Sequence, residues 1–532
     1  LDEDVFRAIV DNLAGEKHTL LQLSLSCKSI RGCCMSALFS TCVCNVRAPL
    51  ARRFIPESLW CHIRSLTLID HWHDIAVVSQ YGRDGSKVNH ADHPLLCGVY
   101  DSDFVGTVLR AMPSLRSVSL KTYADVEHGI PWPVLEAILT VPHLETFSCK
   151  YHNLSPAAFH RPGVAFAGIS QALTRFEFTL RDYRRSPRMY QPEMSTLDFV
   201  LRECHERLET LTIPAECAPF HTMCGLDWPA LRELRLSGAI EPGNEPADPF
   251  VVAFACMPRL RVLELRLALP PSATPEPLWP PGVDVTYPWP ELQQLVVSFA
   301  RPDDLLWPRL PSTLRSLTLI YSPHFSTHLW AMEYHRVDWY WPPTKPADLL
   351  RILQACSIPT LDRLGLEYHA DDDEDALLSY VGTTYSQLTA LKVFRYQIPL
   401  GTHKVDIVSV CCSLLNLSAL IGRFCHCASG ESRATSAIIN PPKHSPVASR
   451  PARDGVYICT LFAVHRTWLY TSTRPVLAFQ SRAGRGRELT GVQRWSVRRG
   501  DQVASKRWGG QWLRMGRIQG RPRRRKRAAR AI

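Results

Sequence analysis

"LRELRLSGAIEPGNEPADPFVVAFACMPRLRVLEL", residues 231–265, carries a hexamer of the form Leu-x-x-Leu-x-Leu at each end and an apolar segment between them. Alternation within each hexamer predicts a short strand that buries every second side chain. The intervening "FVVAFACMPRL" reads as an apolar helix closed by a proline-marked turn. The same hexamer recurs as "LRSVSL" from Leu115, "LETFSC" from Leu144, "LTRFEF" from Leu173, "LETLTI" from Leu208, "LQQLVV" from Leu292, "LRSLTL" from Leu314, "LDRLGL" from Leu361 and "LTALKV" from Leu388. An earlier "IRSLTL" begins at Ile63, and "LLNLSAL" lies around Leu414. With 45% apolar residues, three apolar slots fill by chance roughly one time in eleven, so a single hexamer decides nothing. Recurrence in phase with helical segments such as "DFVGTVLRAMPSL", "VLEAILTVPHL", "TLDFVLRECHERL" and "DLLRILQACSIPTL" does decide.

A lone strand-and-helix unit cannot cover its own apolar face, whereas stacked units cover one another in a right-handed curved array. Over residues 55–422 the pattern resembles the leucine-rich repeat. The resemblance implies an α/β solenoid, a horseshoe with a concave strand face for a protein partner. The asparagine or cysteine that commonly follows the repeat strand is replaced here by Tyr123, His152, Glu216, Ala239 and Ala268, so an irregular horseshoe is expected. Insertions are read at 73–102 and 321–346, the second lengthening one period to 47 residues. Long insertions in a repeat array are often functional. Trp330, Tyr334, Trp339, Tyr340 and Trp341 of the second are candidate partner-binding rings, with capping of a broken repeat as the other reading. "WP" at Trp132, Trp228, Trp289 and Trp307 precedes repeat strands regularly enough to predict a packing role.

Before the repeats, Val5, Ile9 and Leu13 fall four apart on one helix face, which Gly15 ends. Thr19 with Gln22 has capping-box spacing, and Leu20, Leu23, Cys27, Ile30 and Cys34 continue as one predicted apolar stripe. The order of Leu1, Val5, Ile9, Leu13, Leu20, Leu23, Ser24, Cys27, Lys28, Leu38 and Phe39 resembles an F-box, over residues 1–44. Asp2 stands where a proline is common in that family, and Ile30 where a tryptophan is often found. The resemblance implies that Leu1, Val5, Ile9, Leu20, Leu23, Cys27 and Ile30 pack the helices and meet a Skp-type adaptor of a cullin ubiquitin ligase. A helical cap on the repeats is the open alternative.

The chain therefore divides into a helical F-box-like module (1–46), a solenoid (47–424) and a basic tail (425–532) expected to be disordered. Charge supports the last boundary: residues 423–532 carry 24 Lys+Arg against four acids, net +20, and residues 1–422 sum to −9. Arg521, Arg523, Arg524, Arg525, Lys526 and Arg527 suit a nuclear-import signal or a phosphate-binding patch, making nucleic acid a partner only through the tail. Translated non-coding sequence is the other origin for such text.

The 18 cysteines are scattered, lack paired C-x₂-C spacing and follow no apolar leader, so they are expected to be reduced and mostly buried. The loose spacings at His71, His73 and Asp74, and at His324 and His328, supply no third metal ligand. Asp371 to Asp375 lacks the spaced oxygens of a calcium loop and reads as a solvated turn before a helix. Nucleotide, serine-hydrolase and zinc-protease motifs are missing, and no run approaches a membrane span. The expectation is an intracellular non-enzyme without cofactor, metal or membrane contact. Its function would be that of a substrate receptor, or of a plain interaction scaffold.

Overall fold

The computed structural model describes residues 3–13, 15–46, 54–70, 102–122, 129–130, 132–154, 168–180, 190–240, 243–269, 274–322, 344–397, 421–428 and 457–464. These residues all belong to one compact unit, Leu1–Arg482.

Every hexamer among them becomes a strand that starts two residues after the first apolar position. They are β2 (Ser65–Asp70), β3 (Ser117–Thr122), β5 (Thr146–Lys150), β7 (Arg175–Thr179), β8 (Thr210–Pro214), β9 (Glu233–Ala239), β10 (Val262–Ala268), β11 (Gln294–Ser298), β12 (Ser316–Ile320), β13 (Arg363–His369) and β14 (Ala390–Gln397). Together with β1 (Thr41–Val46) they pair in parallel, in chain order, along one edge-to-edge sheet. The register keeps the repeat in phase: Leu66, Val118, Phe147, Phe176, Leu211, Leu234, Leu263, Leu295, Leu317, Leu364 and Leu391 are partners from strand to strand, all fully buried or nearly so. A one-residue slip would turn this whole row to solvent, which is why the register is fixed. Short strands β4 (Gly129–Ile130) and β6 (Asn153–Leu154) form a separate pair. The chain is thus mixed α/β with a long parallel sheet, consistent with a solenoid of the leucine-rich-repeat kind.

Helices α4 (Ser102–Arg110), α5 (Trp132–Leu139), α6 (Tyr190–Cys204), α7 (Phe220–Gly225), α8 (Phe250–Ala253), α9 (Pro346–Ala355) and α10 (Glu374–Thr384) connect the strands. Their apolar residues, among them Val105, Leu135, Leu201, Val251, Ile352 and Leu378, join the strand leucines in one continuous core. Each fully buried residue of this size contributes about 1.5–3 kcal/mol. Trp228, Trp279, Trp289 and Trp307 are wholly buried, and each indole N–H donates to a backbone carbonyl, as in Trp289 to Phe254 at 3.1 Å. The packing role expected for Trp228, Trp289 and Trp307 is the one they have. Trp132 is half-buried, edge-on to Phe199.

Where the usual asparagine is missing, two other devices join the units. The carbonyl of each hexamer's second residue accepts the next two amides one unit on, as Arg315 does from Asp362 and Arg363. Hydroxyls just upstream of the strands add a staple. Thr313 donates to Pro290 and Leu292, Thr360 to Ser312 and Leu314, and Ser170 to Pro142 and Leu144. Each reaches back to the start of the preceding hexamer. Asp304, buried between β11 and β12 in sequence, accepts the amides of Leu278, Trp279 and Leu306 and so ties two loops together.

At the far end Glu374 receives a two-pronged bond from Arg395, at 2.6 and 2.7 Å, and a third from Tyr368. The acidic run therefore splits: Asp371, Asp372, Asp373 and Asp375 face solvent as expected, while Glu374 turns inward. Beyond β14, two antiparallel strands follow, β15 (Ile421–Ala428) and β16 (Tyr457–Val464). The tail boundary drawn at 424/425 accordingly falls inside a strand. β-branched and aromatic residues in "YICTLFAV" supply the strand propensity that a charge count overlooks. The remainder of the tail, with Arg521, Arg523, Arg524, Arg525, Lys526 and Arg527, lies outside the described residues.

Candidate protein-interaction surfaces

The N-terminal module is three helices, α1 (Glu3–Asn12), α2 (Lys17–Ser24) and α3 (Lys28–Phe39). The single stripe expected from Leu20 to Cys34 is broken. The chain leaves α2 after Ser24, and Cys27, extended at φ −159° and ψ 169°, opens α3 from an exposed position. Arg31 Nε bonds the Ser24 carbonyl at 3.2 Å across this break. Thr19 is inside α2 rather than its cap, since the helix begins at Lys17. Periodic spacing of three and four continues through a two-residue turn just as it does along one helix, so the pattern alone could not show the break.

Val10, Leu20 and Cys34 form the buried centre of the module, with Phe6, Leu13, Leu23, Ile30 and Leu38 around it. Leu20, Leu23 and Ile30 are therefore packing residues. Val5 and Ile9 are not: they are 49% and 40% exposed, because α1 turns Phe6 and Val10 inward. Leu21 and Leu25 are 50% and 62% exposed. Leu1 lies outside the described residues. The module joins the sheet directly, since the Ser40 carbonyl accepts the amides of Arg64 and Ser65 and β1 pairs with β2.

The second surface is the strand face opposite the core. The third and fifth hexamer positions and the residue just past the hexamer point there, as the alternation of buried and half-exposed residues in β2 and β3 shows. Ser65, Thr67, Ser117, Ser119, Thr146 and Ser148 line its first part. Farther along, Glu264 is the hub of a network: Arg235 at 3.1 Å, Arg266 at 3.0 Å and Gln294 at 3.0 Å all donate to it. Glu177 is held more loosely, by Lys150 and Arg175 at 3.8 Å and by the Ser148 hydroxyl at 3.3 Å. Burial, reinforced by the Arg266 charge, lowers the Lys392 ammonium from its ordinary value, and that ammonium sits 4.3 Å over the Phe394 ring. Sequence reading passed over these residues because they occupy the "x" slots of the hexamers. Their charge alternation, Glu-Leu-Arg-Leu at 233–236 and Glu-Leu-Arg at 264–266, was the available signal.

Trp330, Tyr334, Trp339, Tyr340 and Trp341 lie outside the described residues, as do most of the two insertions, the hexamer near Leu414 and the histidines at 71, 73, 324 and 328. Among the described residues no group of three or more His, Cys, Asp or Glu is arranged to hold a metal ion, and no helix is long and apolar enough to cross a membrane. Cys204, Cys224, Cys256 and Cys356 are free thiols. Burial raises the thiols of Cys204 and Cys356 to about 12, which suits packing and not nucleophilic chemistry.

No family model matches the chain, and no curated protein does. Among solved structures it is similar to the crystal structure of a TLR13–ssRNA13 complex, at 15% identity and a TM-score of 0.30, over 63% of this chain and 44% of that one. The chain thus spans less than half the length of that match.

Proposed function

We propose that this chain is a non-catalytic substrate receptor: its N-terminal helices dock on a Skp-type adaptor of a cullin ubiquitin ligase, and its strand face holds a target protein. One observation carries the adaptor half. A terminal element that only closes a repeat array presents a polar outer face to keep it soluble. This module instead turns Val5, Ile9, Leu21 and Leu25 outward while burying a core of just three residues. Aliphatic side chains left exposed on so small a module are the kind of surface a partner covers. The target half rests on the long parallel sheet, whose outer face carries ion-paired side chains around Glu177 and Glu264. Scaffold function without a ligase role is the runner-up, favoured by the continuity of β1 with the repeat strands.

The test is co-expression of the full chain with the adaptor, followed by co-elution on a sizing column. Leu21→Asp with Leu25→Asp should abolish co-elution while leaving circular dichroism unchanged. Leu20→Asp is unsuitable, because it unfolds the module. Undiminished co-elution of the double variant, or no complex with the unaltered chain, refutes the adaptor half.

A further inference from the structure

Lys121 of β3 and Lys150 of β5 are direct partners on neighbouring parallel strands and point to the open face. Strands lie about 4.8 Å apart, and like charges set opposite one another at that spacing repel. Lys150 is relieved in part by Glu177 at 3.8 Å, whereas Lys121 has no carboxylate partner among the described residues. Two residues toward the strand starts, Ser119 and Ser148 are likewise partners, and the Ser148 hydroxyl donates to Glu177 at 3.3 Å. Immediately after Lys150, past the end of β5, stands Tyr151, at a φ of 67° that a bulky side chain rarely adopts, its amide held by the Thr179 carbonyl at 2.8 Å.

Phe299 repeats that backbone device after β11: its φ is 56° and its amide bonds the Ile320 carbonyl. There the ring is buried against Tyr321, at 5.6 Å between centroids. At Tyr151 the same device leaves the residue 43% exposed, directly after Lys150 in the chain. Backbone strain at an exposed aromatic ring points to use by a partner.

We propose that this corner of the sheet receives an acidic segment of a protein target, its carboxylates over Lys121 and Lys150 and its backbone against Tyr151. The charge distribution favours that occupant. Residues 1–422 are net acidic, yet the open positions of β3, β5 and β7 hold Lys121, Lys150 and Arg175 against Glu177 alone. The proposal deepens the receptor reading by giving the target its chemistry.

The test uses the full chain and a peptide of alternating glutamate and glycine bearing a terminal photo-crosslinker, with attachment sites mapped by mass spectrometry. Mapping separates this corner from capture by the arginine-rich tail. Crosslinks should fall within 117–151, drop about tenfold or more in Lys121→Glu with Lys150→Glu, and drop severalfold in Tyr151→Ala, with adaptor co-elution unchanged in all. Two lysine contacts turned from attraction to repulsion account for that loss. Crosslinks confined to the tail, or equal in the lysine variants, overturn the proposal. So does displacement from these residues by a single-stranded oligonucleotide at lower concentration than by free peptide, which would make the corner a phosphate-backbone site. Adaptor binding is scored separately, so failure of the receptor reading and failure of this site are distinguishable.

Discussion

Removing the hydroxyl of Thr360 while keeping its shape, by Thr360→Val, tests whether hydroxyl staples stand in for the missing asparagine. The hydroxyl is shared between the carbonyls of Ser312 at 2.6 Å and Leu314 at 2.9 Å. One intramolecular hydrogen bond is worth about 0.5–1.5 kcal/mol net, and a partly buried carbonyl left without a donor adds to the loss. Valine's extra methyl returns only a few tenths of this at so exposed a site, which leaves about 1 kcal/mol. Thr313→Val should cost a similar amount through Pro290 and Leu292. The two are not independent, because the carbonyls that Thr360 grips flank Thr313, so the double variant should deviate from additivity. Ser170→Ala acts several strands away and should add to Thr360→Val within about 0.5 kcal/mol. Urea unfolding followed by tryptophan fluorescence suits the measurement, since Trp289 and Trp307 are buried in the units concerned. A Thr360→Val chain as stable as the parent, or a Ser170→Ala and Thr360→Val pair that couples as strongly as the neighbouring pair, would refute the staple argument.

Asp304→Asn should cost about 1–3 kcal/mol by the same assay, because the amide nitrogen would face the Leu278 N–H and leave it unsatisfied in a buried site. A neutral effect would mean that the loop does not depend on the carboxylate. Burial lowers the His369 imidazole to about 4, below its ordinary 6.5, so the unfolded chain binds the extra proton first. Its contribution to stability is therefore complete above pH 6.5 and is lost progressively as pH falls toward about 4. His369→Gln should flatten that part of the stability profile, and an unchanged slope would contradict the assignment.

The repeat strands were legible because a hexamer of period two leaves a mark whatever its exposed residues are, and stacking then fixes the register. β1 was not legible, since "TCVCNV" lacks the leucines and is a strand by virtue of pairing with β2. In α1 two stripes compete, Val5 with Ile9 and Phe6 with Val10 and Leu13; both are apolar, and only packing against α3 shows which turns inward. That ambiguity is the price of the module's function as proposed, since an apolar docking face looks like a core face in one dimension. The charge network on the open sheet was spread over residues 29 to 30 apart in sequence, as Arg235 and Gln294 are from Glu264, and only the parallel register brings them together.

Hydrogen exchange of the full chain with and without the Skp-type adaptor tests the central claim most directly. Added protection is expected over α1 and α2, around Val5, Ile9, Leu21 and Leu25, with the open strand face unchanged. Protection confined to the strands, or no change in the helices at saturating adaptor, would contradict it.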